Sequence, residues 1–227
     1  MKITFIKHSG FAVEMDQCIF VFDHWQDPAH VVPPLFEKGK PVYFFVSHFH
    51  GDHYSRDIFS YKERAAQYIL HKDCDARGIA APIHYMDVGE DYETPHFSVH
   101  MYGSTDAGGS YMIRAEGKTI FHGGDLNWWH WAGEPDADNR HAREWYVKEL
   151  AAISEKTVDY AFFPVDARQA VAREWGVKAF LRQVRVKKCL IAMHAFGIRW
   201  CPSYEFRWNY EGTPLWIPQQ EGDSFES

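Results

Sequence analysis

The sequence predicts an α/β sandwich, with β-sheets held between helices, and three observations carry that prediction. Strand-like runs crowd the first half of the chain, among them "KITFIK", "GFAVEM", "CIFVFD" and "VYFFVS". In the second half, helical patterns alternate with strands. Runs such as "CLIAM" are apolar throughout and need cover on both faces.

The elements follow in order. "HSG" and "DQ" suit tight turns between the first three strands, and "DPAHVVPPLFEKGKP" is a Pro-punctuated connection to the strand "VYFFVS". "SRDIFSYKERAA" reads as a short helix capped by Ser55, followed by the strand "QYILH". Strands come next at "IHYMDV", "FSVHMYG", "SYMIRAE" and "KTIFHGG", the last two joined through "EGK" as a hairpin. From Asn139 to Lys156 the pattern is helical, with Trp145, Leu150 and Ile153 at compatible spacing. "VDYAFFPVD" is a buried strand and "ARQAVAREWGVKAFLRQVR" a second helix, with the basic run 185–188 as its solvated end. "KKCLIAMHAFG" is a strand ending at His194, and "PLWIP" is the last strand. No repeat or linker divides the chain, so residues 1–227 are expected to form one domain.

Composition narrows the function. An apolar fraction of 46% and an aromatic fraction of 17% supply a core and exclude disorder. A net charge of -7 argues against a nucleic-acid binder, which would carry a basic stripe. The first residues do not form a signal peptide, and no run reaches the roughly 20 apolar residues that span a bilayer. Cys18, Cys74, Cys189 and Cys201 lack CxxC spacing and read as reduced thiols, so a cytoplasmic location is expected.

The chemistry gathers in "YFFVSHFHGDHYS", where His48, His50, Asp52 and His53 follow a buried strand. In extended backbone, residues two apart point the same way, so His48 and His50 can address one point. Gly51 lets the chain turn, and Asp52 and His53 can then face a neighbouring point. Imidazole with carboxylate suits zinc, iron or manganese better than calcium or magnesium.

"HFHGDH" resembles the H-x-H-x-D-H signature of the metallo-β-lactamase superfamily. The resemblance extends to Asp125 in "IFHGGDLN", matching a bridging Asp, and to His194 in "CLIAMHAFG", matching a last His. "ITFIKHSGFAVE", "FDHW" and "YAFFPVD" are similar to the branch that includes the ascorbate-6-phosphate lactonases. The resemblance implies a four-layer αββα sandwich of two mixed sheets, with one or two divalent metal ions at one edge. Its implied ligands are His48, His50, Asp52, His53, Asp125 and His194. A role behind the ligands is open for His8 and Asp166, beside an ordinary structural one.

The pattern breaks at one place. The superfamily's third His for the first metal, in a G-H-T segment, is replaced by Ser104 in "MYGSTDAGG". Asp106 could fill that position with an oxygen, favouring Mn²⁺ or Fe²⁺ over the otherwise expected Zn²⁺. It could equally be a turn residue. Backbone N–H groups around Ser104 and Thr105 could bind substrate. Trp128, Trp129 and Trp131 could wall a pocket and hold His130 towards a leaving group, or simply pack.

The expected function is a metal-dependent hydrolase that uses a metal-bound hydroxide on a small-molecule ester, lactone or phosphoester, with Asp52 as the catalytic carboxylate. A di-iron redox enzyme and a non-catalytic metal-binding domain with a degenerate first site are the alternatives.

Overall fold

The computed structural model describes residues 1–227. β1 (Lys2–Lys7), β2 (Gly10–Glu14), β3 (Ile19–Phe22), β4 (Val42–Val46), β5 (Gln67–His71) and β6 (Ile83–Met86) lie side by side in the first sheet. The second sheet contains β7 (Asp91–Glu93), β8 (Ser98–Gly103), β9 (Gly109–Ala115), β10 (Lys118–His122), β11 (Thr157–Pro164), β12 (Arg185–Met193) and β13 (Leu215–Trp216), and its order runs from β13 down to β7. A last strand, β14 (Ser224–Glu226), returns to pair antiparallel with β1 and completes the first sheet. Both sheets are mixed. β3 to β6 run parallel in one and β10 to β13 in the other, so many strands end at a common edge.

Alternation along the strands sorts the side chains into layers. Phe5, Phe11, Phe20, Phe22 and Phe45 meet Tyr111, Ile120, Phe162, Ile191 and Met193 between the sheets. On the far side of the second sheet, Phe121, Phe163, Leu190 and Ala192 pack under α1 (Asp136–Ala152), α2 (Trp175–Gln183) and α3 (Tyr204–Asn209). The far side of the first sheet is covered more thinly. There Leu35, Ile58 and Phe59, from 3-10 helices at Pro33–Lys38 and Arg56–Tyr61, lie over Val21, Phe44 and Tyr68.

The β9–β10 hairpin turns on Glu116 (φ 50°) and Gly117 (φ 71°), the two positive dihedrals of a two-residue turn. Three expectations change. The helix after Ser55 is a single 3-10 segment, although the Ser55 hydroxyl does accept from the Asp57 N–H at 3.2 Å. The second helix is divided into a 3-10 segment (Ala167–Ala172), itself interrupted at Ala170 (φ 49°, ψ -115°), and α2. Residues 185–188 are the start of β12 and not a helix end, since Arg185 and Val186 pair in parallel with Thr157 and Val158. Strands β7 and β14 and helix α3 are too short to leave a periodic signature.

Candidate metal centre

Every chemically distinctive side chain sits where strands end at the common edge. His48 follows β4, Asp125 follows β10 through Gly123-Gly124, and His194 follows β12. His8 lies in the β1–β2 turn, and Asp106 in the loop between β8 and β9. Backbone conformations there are tight. His8 (φ 57°), Asp23 (φ 40°) and His194 (φ 60°) all occupy the left-handed region, and the His194 N–H donates to the His8 carbonyl at 3.2 Å. Gly108 (φ +67°) lets the Asp106 loop pass over β4, since a Cβ there would lie 2.5 Å from the His48 Cβ.

Two clusters of donor atoms form, each with its atoms within 4.8 Å of one another. One comprises His8, Asp52, His53 and His194, the other His48, His50, Asp106 and Asp125. Asp125 faces both. Its Oδ1 lies 3.1 Å from His53 Nε2 and 3.3 Å from His194 Nε2, while Oδ2 lies 3.6 Å from His48 Nε2.

The imidazoles are aimed from behind. His53 Nδ1 donates to Asp23 Oδ2 at 2.8 Å, and His48 Nδ1 meets the Ser47 hydroxyl at 2.9 Å. His194 Nδ1 lies 3.2 Å from Asp166 Oδ2. Asp23 is itself fixed, because the Ser47 N–H and hydroxyl both donate to it, at 2.7 and 2.8 Å. Each ring therefore turns Nε2 to the centre, the arrangement by which carboxylates and hydroxyls orient metal-binding histidines.

The donor atoms fit a cation. His8 Nε2, His48 Nε2, His53 Nε2 and Asp125 Oδ1 are buried and lack a hydrogen-bond partner. Each unpaired buried polar atom costs about 1–3 kcal/mol, and these four belong to two adjacent clusters in which bound cations would partner them. Charge points the same way. Burial opposes ionisation of Asp125, but His53 and His194 outweigh it and hold the carboxyl well below its usual range. Burial likewise opposes charge on His53, yet Asp125 and Asp23 hold it well above the usual imidazole range. His194 rises to about 9 because Asp125 and Asp166 overcome its burial. His8 and His48 remain neutral, lowered by burial to about 2 and about 3. The pocket thus demands positive charge and offers neutral nitrogens to receive it.

His8 is a donor that the sequence left open between a role behind the ligands and an ordinary structural one. Its signal was its place in a turn at the end of β1, on the strand edge that bears the motif. Asp166 stands behind His194, 0% exposed, and accepts from the Arg168 N–H at 2.8 Å. Asp106 approaches His50, with Oδ2 3.3 Å from Nδ1, where Ser104 replaces the expected His. Ser104 is buried, and its hydroxyl has no hydrogen-bond partner.

The expected substrate role for Thr105 meets a structural one. Its hydroxyl donates to the Asn127 carbonyl at 2.6 Å and accepts from the Asn127 N–H, pinning the segment after Asp125. His130 does not line the cavity, since its ring packs at 4.7 Å from Trp175. The tryptophans divide. Trp128 packs on the core and Trp175, whereas Trp129 and Trp131 stack 5.8 Å apart and wall the cavity. Asn139 in α1 holds Trp131 by bonding its N–H and carbonyl, both at 2.8 Å. His122 is structural, with Nε2 donating to the Ser9 carbonyl at 3.1 Å and its ring stacked on Phe22. The cavity, about 310 Å³, opens over both donor clusters.

No family model matches the chain. It is 27% identical over 143 residues to a UPF0173 metal-dependent hydrolase of Alkaliphilus metalliredigens, a match covering 55% of this chain and 63% of the relative. The chain thus spans less than two thirds of that relative's length. Igni18, a metallo hydrolase from Ignicoccus hospitalis, superposes with a TM-score of 0.67 at 16% identity, covering 100% of this chain and 98% of that one. The metallo-β-lactamase fold protein YhfI from Bacillus subtilis gives 0.64 at 14% identity, with 100% and 98% covered. With two seven-stranded sheets, flanking helices and a histidine-rich strand edge, the chain has the metallo-β-lactamase fold.

Proposed function

We propose that residues 1–227 act as one unit, a metal-dependent hydrolase of a small-molecule ester, lactone or phosphoester. The observation that carries this reading is the pair of adjacent donor clusters, with unpartnered Nε2 atoms of His8, His48 and His53, beneath an open cavity that Asp52, Asp125 and His194 line. His8, Asp52, His53 and His194 would hold one divalent ion and His48, His50 and Asp106 a second, with Asp125 shared between them. Such ions supply Lewis acidity and make water a nucleophile at neutral pH.

The chain's own groups do the rest. Asp52, with its side chain 35% exposed, is the carboxylate placed to take a proton from the attacking water. Trp129 and Trp131 shield one wall from solvent and position the substrate. Nitrogen-rich donors in the first cluster suit Zn²⁺, and the Asp106 oxygen in the second favours Mn²⁺ or Fe²⁺ there. That same carboxylate supports a second reading, a di-iron redox enzyme, which iron-specific absorbance in freshly purified protein would reveal. The proposed location is the cytoplasm; no helix is long and apolar enough to cross a membrane.

The test is turnover of a panel of small lactones, esters and phosphoesters by protein loaded with Zn²⁺ or Mn²⁺, alongside Asp52→Asn and His53→Ala. Turnover in the parent protein and its loss in both folded variants is expected. Full activity in both variants, or none in the loaded parent, would overturn the proposal.

A further inference from the structure

Arg168 is the one lysine or arginine among the ten residues lining the cavity, whose carboxylates are Asp52, Asp106 and Asp125. Its guanidinium is only partly used. Nε donates to Asp166 at 3.0 and 3.1 Å and Nη2 donates at 2.6 Å, while Nη1 has no partner in the protein. The plane is held rather than free. It lies 3.6 Å from the centre of the Phe196 ring and 5.5 Å from that of Trp131. The side chain is 50% exposed, unlike the buried Asp166 it grips.

From this geometry we propose that Arg168, with Trp131 and Phe196, recognises a planar carboxylate-bearing part of the substrate while the reacting bond lies over the donor clusters. The inference rests on the hydrolase reading of the same cavity and names the substrate class it takes. A guanidinium whose Nε side is occupied keeps its Nη1–Nη2 end, a two-pronged donor matched to a carboxylate. The ion pair with Asp166 occupies one edge of the guanidinium, which leaves a single fork and suits a single carboxylate. Trp129 and Trp131, parallel within 5°, present flat apolar surface beside it, which suits an aromatic or conjugated ligand.

Benzoate and its neutral counterpart benzamide are the probes, titrated calorimetrically into the zinc-loaded chain, with zinc content measured on each sample. The expected result is a preference for benzoate of roughly tenfold or more, the worth of a charge-assisted pair. Arg168→Met should abolish that preference and leave benzamide binding unchanged. Arg168→Lys, which keeps the charge beside Asp166 but not the fork, should weaken it. It also supplies the comparison if the Met variant loses zinc. A zinc-loaded parent with no preference, or a preference unchanged in the zinc-loaded variants, would overturn this inference alone. A chain that takes up no zinc would overturn the metal reading, and this inference with it.

Discussion

Asp23→Asn is the most informative single change behind the metal centre. Asp23 accepts three hydrogen bonds, from the Ser47 N–H at 2.7 Å, the Ser47 hydroxyl at 2.8 Å and His53 Nδ1 at 2.8 Å. An amide of the same shape keeps one oxygen. If that oxygen stays on Ser47, an NH₂ faces His53 Nδ1, and the ring must move its proton to Nε2, the atom that points at Asp125. A protonated Nε2 cannot bind a metal. If the amide turns the other way, the Ser47 N–H loses its acceptor inside the core. Either outcome is expected to cost metal affinity by roughly 10- to 100-fold, or about 1.4–2.7 kcal/mol. Competition against a chelator of known affinity, with circular dichroism to verify folding, reads it directly. A folded Asp23→Asn protein with parental metal affinity would refute the orienting role.

Other perturbations test different links. Gly108→Ala should cost about 2–4 kcal/mol, from left-handed strain and overlap with His48, and displace Asp106; parental thermal stability and metal content would contradict this. In metal-free protein, burial lowers His8 from 6.5 to about 2 and His48 to about 3. The unfolded chain then binds more protons below 6.5, so their contribution is whole above that pH and fades as pH falls towards 3. His194, raised from 6.5 to about 9, contributes below 6.5, and its share is lost as pH rises through 9. Thermal midpoints measured in chelator should therefore fall on both sides, and His8→Gln should flatten the acid limb; an unchanged acid limb would refute the assignment. Phe162→Ala, fully buried between the sheets, should lose about 3–5 kcal/mol in denaturant unfolding without changing metal stoichiometry. A loss below about 1 kcal/mol would show that the core lies elsewhere.

Much of the fold was legible because its strands are long, apolar and punctuated by turn residues. β4, β11 and β12 could be read directly, and the "EGK" hairpin followed from turn chemistry. What could not be read depends on pairing or on single dihedrals. Three residues such as Ser224–Glu226 become a strand only because β1 offers an edge, and the 3-10 segment after Asp166 is interrupted at one unusual alanine. The candidate site divides similarly. Local spacing exposed His48, His50, Asp52 and His53, and the order of motifs along the chain pointed to Asp125 and His194. His8 carries only the weak signal of its turn, and Arg168 carries none. His8 joins a donor cluster and Arg168 reaches the cavity only when the β1–β2 turn and the start of the 3-10 segment meet at one sheet edge, a long-range result of strand order.

The central claim is that two donor clusters, sharing Asp125, hold two divalent ions. Metal content per chain, measured by plasma mass spectrometry on untagged protein purified without chelators, tests it most directly. The parent should carry two ions and a His50→Ala, Asp106→Ala double variant one. A parent that holds one ion or none after incubation with Zn²⁺, Mn²⁺ or Fe²⁺ would contradict the account.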